Sequence, residues 1–279
     1  MTGLLTPESR AAFDRDGYLL VPGLFSPGEV GHLRAAMEQD PAVRDSLYER
    51  RDAQGKATRI ALWNEAGDSV YGLAARSERV VHTVAGLLEG EVYHYHSKLT
   101  AKEPYEGGAW EWHQDYGYWY HNGCLYPTMA SVMVALDRCT PENGCLQVIR
   151  GSHRAGRINH SRGGAAGEQV GAELERVEQL LSRHERVHVA MEPGDGLFFH
   201  GNLMHRSDQN RSPDRRWTLL FCYNRVDNAP FVDGRQALLQ PLATVPDDAV
   251  EQAGVRLSDP ASMQFQVRRE HSSVPLTTA

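Results

Sequence analysis

The chain has 279 residues and a mass of 31.1 kDa, which is long enough to bury a substantial hydrophobic core. Apolar residues make up 41% of it and charged residues 23%, as in ordinary globular proteins. The formal net charge is −7 and the pI is about 6.0, so we expect no extended basic surface and no nucleic-acid partner.

Targeting signals and cysteine pairs are not evident. The first residues lack the basic segment and apolar run of a secretory signal, and no stretch approaches the length of a membrane-spanning helix. The chain has four cysteines without Cys-x-x-Cys spacing, which argues against a disulfide framework and against a zinc site. These features predict a cytoplasmic protein with reduced, buried cysteines and no membrane partner.

Helix and strand signals alternate in the first 90 residues. Residues 6–8, Thr-Pro-Glu, combine a capping residue with proline at the first helical position. An apolar strand is predicted at 18–21. Ser26 and Glu29 have the spacing of a capping box, which predicts a helix from there. Residues 77–88 carry apolar side chains at helical spacing and predict another helix.

Strand signals dominate from about residue 91, where V-Y-H-Y-H-S-K-L-T alternates as a half-buried strand does. Turn-forming sequences then separate several short apolar runs. One helix is predicted at 168–183, after a glycine-rich loop at 162–167. Many short strands with such turns predict a sandwich or barrel. The apolar runs are 129–136, 145–149, 187–191, 196–200 and 216–223.

A candidate metal site begins in the aromatic stretch W-E-W-H-Q-D-Y-G-Y-W-Y at 110–120. His113 and Asp115 would share one face if this stretch were a strand, because positions i and i+2 point the same way. A third ligand is then needed, and His205, near the end of an apolar segment, is the best candidate. Two histidines and one carboxylate form the facial triad of non-haem Fe(II) oxygenases.

Other histidines compete with this interpretation, because the chain has thirteen of them. His200 is an alternative third ligand. His94 and His96 alternate on a predicted strand, and they either line a pocket or are hydrogen-bonded core residues. Structural or solvent-facing roles are expected for His121, His153 and His160.

Arg216 strengthens the metal hypothesis. It begins a predicted strand eleven residues after His205, and the intervening S-D-Q-N-R-S-P-D is rich in turn formers. A hairpin-like return is predicted, with Arg216 beside the strand that leads to His205. A guanidinium binds a carboxylate through two parallel hydrogen bonds, so Arg216 could hold a dicarboxylic keto acid. The alternative is an ordinary surface ion pair. Arg215 would face the opposite way, toward solvent.

Five segments carry a family resemblance: D-G-Y-L-L-V-P-G-L-F from Asp16, H-Q-D at 113–115, P-E-N-G-C-L-Q-V-I-R-G-S-H at 141–153, M-E-P-G-D-G-L-F-F-H at 191–200 and H-R-S-D-Q-N…R at 205–216. Across about residues 10–228 the chain resembles the phytanoyl-CoA dioxygenase family of Fe(II)- and 2-oxoglutarate-dependent oxygenases. Around W-H-Q-D and F-C-Y-N it is also similar to ectoine hydroxylases of the same superfamily.

The resemblance implies a mainly β fold with flanking helices around a double-stranded β-helix, the cupin-like jelly roll. We expect a single oxygenase domain over residues 1–279. Its parts would be a helical and strand-containing segment at about 1–90, the jelly-roll core at about 91–228 and a C-terminal extension at about 229–279. The turn at Asn143-Gly144 is assigned to the fold rather than to chemistry.

The resemblance also implies roles for single residues. His113, Asp115 and His205 would bind Fe(II). Arg216 and Ser207 would bind the co-substrate 2-oxoglutarate, and Lys98 is expected to contact it as well. Some related iron enzymes halogenate and replace the carboxylate ligand by a small residue, so the carboxylate at position 115 favours hydroxylation.

The stretch Y-G-Y-W-Y-H-N-G-C-L-Y-P after Asp115 departs from the acyl-CoA and ectoine members, so their substrates are not carried over. Side chains near this stretch either wall the substrate pocket or belong to the core. The pocket candidates are Trp112, Tyr116, Tyr118, Trp119 and His96. We expect O2-dependent hydroxylation of an unactivated C–H bond in a small metabolite or natural-product intermediate, with release of succinate and CO2.

Three alternatives stay open. The same iron centre could catalyse desaturation, epimerisation or oxidative cyclisation, because those reactions share one ligand triad. A jelly-roll protein that binds metal without turnover is a rival from another class. A cupin-like Zn²⁺ or Mn²⁺ hydrolase or isomerase is disfavoured, since it would have no use for a carboxylate-binding arginine.

Overall fold

The computed structural model describes residues 3–161, 169–232 and 241–259. The α-helices are Pro7–Asp16 (α1), Pro27–Gln39 (α2), Pro41–Ser46 (α3), Val70–Arg76 (α4), Glu78–Leu88 (α5), Asp115–Trp119 (α6), Leu174–Leu181 (α7) and Ala249–Ala253 (α8). The strands are Tyr18–Val21 (β1), Tyr48–Arg51 (β2), Ala57–Trp63 (β3), Val92–Lys102 (β4), Trp110–His113 (β5), Met129–Ala135 (β6), Leu146–Ile149 (β7), His160–Ser161 (β8), Gly171–Ala172 (β9), Arg186–Val189 (β10), Gly196–His200 (β11), His205–Ser207 (β12) and Arg216–Arg225 (β13). A short 3-10 helix covers Ser152–Ala155.

The first two helices begin where the sequence predicts. The Thr6 hydroxyl accepts a hydrogen bond from the backbone N–H of Ser9 at 3.2 Å. Ser26 and Glu29 exchange the two hydrogen bonds of a capping box, at 3.2 and 2.7 Å. Gly17 ends α1 with φ 83°, a left-handed conformation that turns the chain directly into β1.

Two antiparallel sheets form the body of the protein, which is mainly β with flanking helices, as predicted. The seven-stranded sheet has the order β1-β11-β6-β13-β4-β3-β2, and the four-stranded sheet has the order β10-β7-β12-β5. The long strands β4 and β13 pair from Val92↔Arg225 to Lys102↔Arg216. Every strand predicted from position 91 onward is present, with ends shifted by a few residues.

The two faces of the seven-stranded sheet have different neighbours. Leu219 and Phe221 of β13 pack with helical residues such as Leu33 and Val84 in the largest hydrophobic cluster. Leu220 points the other way and joins the cluster between the two sheets. This alternation along β13 separates a face that holds the helices from a face that looks into the space between the sheets.

The first 90 residues contribute both edges of the main sheet. Strand β1 pairs with β11, with Tyr18 opposite Phe199, and forms one edge. Strands β2 and β3 add to β4 at the other edge, with Ile60 opposite Thr100. The amino-terminal part is therefore built into the same sheet as the core strands.

Two segments differ from their sequence prediction. The helix predicted at 168–183 begins only at Leu174, because Gly171–Ala172 pairs as a short strand with His160–Ser161. The glycine-rich loop predicted at 162–167 lies outside the described residues. All four cysteines are free and buried, as predicted. Across the described ranges, none of the helices combines the length and the apolar character needed to cross a membrane.

Candidate metal centre

Three predicted ligands meet between the two sheets. Nε2 of His113 and Nε2 of His205 each lie 3.9 Å from Oδ1 of Asp115, and one ligand atom from each residue falls within 4.8 Å of the others. All three side chains are buried. His113 and His205 are directly opposite each other on β5 and β12, with ring centroids 4.0 Å apart. The strand register therefore brings together two residues that are distant in sequence.

The reason predicted for the His113–Asp115 pairing is wrong. Strand β5 ends at His113, and Asp115 is the first residue of the short helix α6. Gln114 makes the corner between them, and its backbone N–H donates to Nε2 of His160 at 2.8 Å. Its side-chain amide donates to the carbonyl of Asn202 at 2.7 Å. A strand-to-helix corner, rather than the two-residue period of a strand, thus places the carboxylate beside the imidazole.

Both histidine ligands are fixed through their other ring nitrogen. Nδ1 of His113 lies 2.7 Å from the carbonyl oxygen of Glu111, and Nδ1 of His205 lies 2.9 Å from that of Leu203. In each case an Nδ1–H donates to a carbonyl two residues earlier, which leaves the Nε2 lone pair toward the cluster. Burial lowers the pKa of both imidazoles, strongly for His113, so they are neutral near pH 7.

The carboxylate is held in its ionised form. Burial alone would raise the pKa of Asp115, but Lys98, the two histidines and a hydrogen bond from Ser131 outweigh it and lower that pKa. The Ser131 hydroxyl donates to Oδ2 of Asp115 at 2.6 Å, and Nζ of Lys98 lies 4.0 Å from Oδ1. Two neutral imidazoles and one carboxylate are the donor set that suits a non-haem Fe(II) centre with open coordination positions.

Arg216 lines the same cavity as the ligand cluster, although it arrives by a different route from the one predicted. Strands β12 and β13 belong to different sheets, and Arg216 is paired with Lys102 of β4 rather than placed beside the His205 strand. The stretch between them carries the chain from one sheet to the other. Arg216 therefore faces the His205 strand across the cavity.

The Arg216 end of the cavity carries a buried positive charge. Nη1 of Arg216 donates to the carbonyl of Gly144 at 2.9 Å, while its Nε is buried without a hydrogen-bond partner among the described residues. Lys102 is completely buried, and its Nζ donates to the Ser207 hydroxyl at 2.8 Å and to the backbone carbonyl of Asp208. Burial, and then the Arg216 charge, lower the pKa of Lys102 well below its ordinary value. An anionic group would relieve this arrangement, which fits a carboxylate at this end.

The cavity has about 490 Å³ of empty space, including the solvent at its mouth. Its wall is apolar at Ile60, Met133, Leu146 and Leu220, which limits access of water to the cluster. The polar residues that line it include His113 and His205, Lys98 beside the cluster, and Lys102, Ser207 and Arg216 toward the other end. One continuous space thus joins the metal ligands to the anion-binding end.

Most of the aromatic residues predicted for the substrate pocket pack elsewhere. Trp112 lies in a separate hydrophobic cluster with Ile149, and Tyr116 and Trp119 are buried in another. His96 packs against the rings of Tyr95 and Trp119 at centroid distances of 5.2 and 6.0 Å, tilted to the first and edge-to-face with the second. These four side chains do not line the described cavity. Neighbouring strand residues point to opposite faces, so Trp112 turns away where His113 turns inward.

Tyr118 does not line the described cavity either, but it contacts the ligand cluster. Its ring lies 5.7 Å from the His113 ring, and its hydroxyl donates to the carbonyl of Val170. Trp110, which was not selected from the sequence, lines the cavity two residues before Trp112 on the inward face of β5. Strand alternation counted from His113 does not predict that Trp110 faces the cavity, because a bulge where β5 pairs with β12 shifts the alternation.

The competing histidines have other partners. Nδ1 of His200 accepts from the backbone N–H of Asn202 at 3.0 Å, so His200 does not join the ligand cluster. His94 bonds the carbonyl of Asn64 and the hydroxyl of Ser97, as a core histidine does. His160 supports the Gln114 corner.

Lys102 was not selected from the sequence, although alternation along β4 predicts that it faces the same way as Lys98.

Comparisons with known proteins identify the family of this chain. The model of the family described as phytanoyl-CoA dioxygenase (PhyH) matches residues 13–218. L-proline trans-4-hydroxylase of Streptomyces griseoviridis is 32% identical over 237 residues, which cover 80% of this chain and 88% of the relative. Ectoine dioxygenase of Stutzerimonas stutzeri is 31% identical over 229 residues, covering 78% and 76%.

Solved structures of one relative extend the comparison. EctD from S. alaskensis with bound Fe superimposes with a TM-score of 0.72 at 29% identity, covering 88% of this chain and 90% of that one. The same enzyme with 2-oxoglutarate and 5-hydroxyectoine gives a TM-score of 0.71 at 28% identity over the same shares. The overall fold is therefore the jelly roll expected from the sequence.

Proposed function

This chain belongs to the phytanoyl-CoA dioxygenase family, and we propose that it is an Fe(II)- and 2-oxoglutarate-dependent hydroxylase of a small molecule. The observation that carries the proposal is the shared cavity, in which the His113, Asp115 and His205 cluster faces Arg216, a buried arginine with no carboxylate partner among the described residues. The relatives are named for L-proline and ectoine, which makes small polar metabolites the first candidates. The domain division, the cytoplasmic location and the absence of a nucleic-acid partner stay predictions.

The proposed reaction consumes the substrate, 2-oxoglutarate and dioxygen and yields the hydroxylated product, succinate and CO2. Bound iron would supply the oxidising chemistry that replaces a C–H bond by C–OH. His113, Asp115 and His205 would hold the ion through two nitrogen atoms and one oxygen atom, leaving the side toward the cavity for the co-substrate.

The remaining residues would bind and orient. The Arg216 guanidinium would bind the distal carboxylate of 2-oxoglutarate through paired hydrogen bonds, beside the Ser207 hydroxyl. Lys102 holds Ser207 in place through its hydrogen bond to the Ser207 hydroxyl. Lys98 lies between this end and Asp115, where it can contact the co-substrate and keep the carboxylate ionised.

Succinate formation from 2-oxoglutarate, measured with Fe(II) and air, tests the proposal. His113→Ala is expected to abolish succinate formation and to weaken Fe(II) binding measured anaerobically against a chelator. Arg216→Gln is expected to raise the KM for 2-oxoglutarate by about 10- to 100-fold, because it loses charge-assisted hydrogen bonds.

Arg215→Gln is the matched control. Arg215 is the next residue along the chain, and its guanidinium pairs with Glu38 at 2.7 Å and Asp137 at 3.1 Å outside the cavity. Its KM for 2-oxoglutarate should stay within twofold of the wild-type value. Absence of succinate from folded, iron-loaded wild type, with or without candidate substrates, would refute the proposed function.

A further inference from the structure

Six arginines in the described part of the chain bury an Nε atom that has no hydrogen-bond partner: Arg34, Arg50, Arg76, Arg79, Arg206 and Arg216. Four of them form ion pairs through their terminal nitrogens, with Asp137, Asp68, Glu29 and Asp208 respectively. Arg50 and Arg216 have no carboxylate within 4.0 Å among the described residues. Arg216 is already assigned to the co-substrate, which leaves Arg50 as a second unpaired guanidinium.

Arg50 lies on the face of the main sheet that borders the cavity. On β2 it lies directly opposite Thr58 of β3, and Tyr48 lies opposite Ile60. Thr58 and Ile60 both line the cavity. Residues directly opposite each other in an antiparallel pair point to the same face, so Arg50 and Tyr48 extend the inward face by one strand.

The neighbouring side chains on β2 point to the opposite face of the sheet. Arg51 and Glu49 alternate with Arg50, point outward and form an ion pair with each other at 2.5 Å. The carboxylate nearest in sequence to Arg50 is therefore on the wrong face to neutralise it. The charge of Arg50 is left for a group that enters from the cavity.

The surroundings of Arg50 are aromatic and adjoin the metal ligands. Its guanidinium carbon lies 5.5 Å from the centroid of the Tyr48 ring. Burial raises the pKa of Tyr118, and the charge of Arg50 acts against that rise, so the two groups are electrostatic neighbours. Tyr118 in turn lies against His113. Arg50 thus stands on the Tyr118 side of the cluster.

The backbones of Arg50 and Arg216 are well separated across the sheet. The sheet order β13-β4-β3-β2 puts three strand spacings between their backbones, roughly 14 Å. Arg216 is also tied to the Gly144 carbonyl at its own end. The two guanidinium groups therefore have different neighbours, the Gly144 carbonyl for Arg216 and the Tyr48 ring for Arg50.

We propose that Arg50, supported by Tyr48, binds a carboxylate of the substrate, and that the substrate class is small organic acids such as amino and imino acids. A guanidinium over an aromatic ring presents paired N–H groups that match a carboxylate. The ring of Tyr48 would pack against the apolar part of the same molecule. This inference rests on the proposed function and specifies the substrate that it leaves open.

The test is substrate-stimulated succinate formation with a panel of paired compounds. L-proline, ectoine and other amino and imino acids of similar size are each compared with their own carboxamide, which keeps the shape and removes the charge. The compounds that stimulate turnover are expected to be carboxylates, and each carboxamide is expected to have a KM at least about tenfold higher.

Variants then assign the effect to Arg50. Arg50→Gln is expected to raise the KM of the active carboxylate by about 10- to 100-fold while the KM for 2-oxoglutarate stays within twofold. Arg50→Lys should recover part of the loss, because it restores charge without the paired geometry. Arg51→Gln, on the outward face of the same strand, is the matched control. Anaerobic calorimetry of carboxylate binding gives the same comparison without turnover.

Each contrary outcome has a defined meaning. Equal activity of a carboxamide and its acid, or equal KM values for Arg50→Gln and Arg51→Gln, would overturn the assignment of Arg50. The substrate class would be overturned, with the proposed function intact, if no carboxylate stimulated a wild type that still formed succinate slowly from 2-oxoglutarate alone. No succinate under any condition would overturn the proposed function and this inference together.

Discussion

At the scale of single residues, the three side chains proposed as metal ligands are oriented by neighbours outside the cluster. The two histidines use backbone carbonyls two positions earlier, so their orientation is local and survives most side-chain changes. Asp115 depends instead on Ser131, a residue of β6 in the other sheet. The carboxylate is therefore the ligand whose position is most sensitive to a single distant side chain.

Ser131→Ala should weaken metal binding. It removes the 2.6 Å hydrogen bond to Oδ2 of Asp115, and the carboxylate gains freedom to rotate. Loss of such a supporting partner typically lowers metal affinity by about 10- to 100-fold. An anaerobic Fe(II) titration against a competing chelator measures this.

Ser77→Ala is the control for that experiment. Ser77 is also buried, but its hydroxyl donates to the carbonyl of Ala74 at 2.9 Å, away from the cluster. Its Fe(II) affinity should equal that of the wild type within twofold. Equal affinities for both variants would show that Ser131 does not orient the ligand.

At the scale of elements, the turn before β7 does more than connect strands. From the sequence we expected the Asn143-Gly144 turn to serve only the fold. In the structure the Gly144 carbonyl accepts the hydrogen bond from Arg216. Gly144 has φ 76°, and a Cβ at this position would lie 2.2 Å from the carbonyl oxygen of Asp208. That carbonyl is also an acceptor for Lys102. The turn thus holds the anion-binding end from behind.

Gly144→Ala should therefore affect both stability and co-substrate binding. The left-handed conformation alone costs about 1–2 kcal/mol with a Cβ, and the close approach to Asp208 must also be relieved by movement. We expect a lower free energy of unfolding in urea and a KM for 2-oxoglutarate raised several-fold.

Gly55→Ala separates these two effects. Gly55 has φ 81°, and no atom lies within 4 Å of its added Cβ, so this variant carries the conformational cost without the displacement. It should lose stability but keep the wild-type KM for 2-oxoglutarate. A wild-type KM for Gly144→Ala as well would contradict the role given to the turn.

At the scale of the whole molecule, burial of histidines makes stability depend on pH. Burial lowers the pKa of His94 and of His200 to about 4. In the unfolded chain these imidazoles take up a proton below about pH 6.5. Between about pH 4 and 6.5 the unfolded chain binds more protons than the folded protein, so the free energy of unfolding falls as the pH falls.

Metal-free protein should therefore lose about 3 kcal/mol of stability between pH 7.5 and 5.5 through these two residues. Urea unfolding at a series of pH values measures the loss. His200→Asn keeps an amide oxygen near the Nδ1 position as an acceptor for the Asn202 N–H and cannot be protonated, so its loss of stability should be smaller by about 1.4 kcal/mol. A profile that stays flat between these pH values would contradict the expectation.

How much of the site the sequence predicts depends on how far apart in sequence the interacting residues are. Capping residues and turn formers act within a few positions, which is why α1, α2 and the strand series were found. The His113–Asp115 pair was found for a wrong reason, since a corner at Gln114 rather than a strand joins them. Trp110 and Ser131 were missed because their roles depend on which sheet faces the cluster.

The sequence by itself determined the mainly β fold, and it predicted the types of the metal ligands and the residues that would contact the co-substrate. Alternation, turn residues and chemical identity are local properties, and each can be read without knowing a neighbour in space. Only the tertiary structure decided which residues share the cavity. Lys102 meets Arg216 through the register of β4 and β13, and Arg50 turns inward through the register of β2 and β3. Register between strands distant in sequence is set by packing of the whole core, so no single segment contains it.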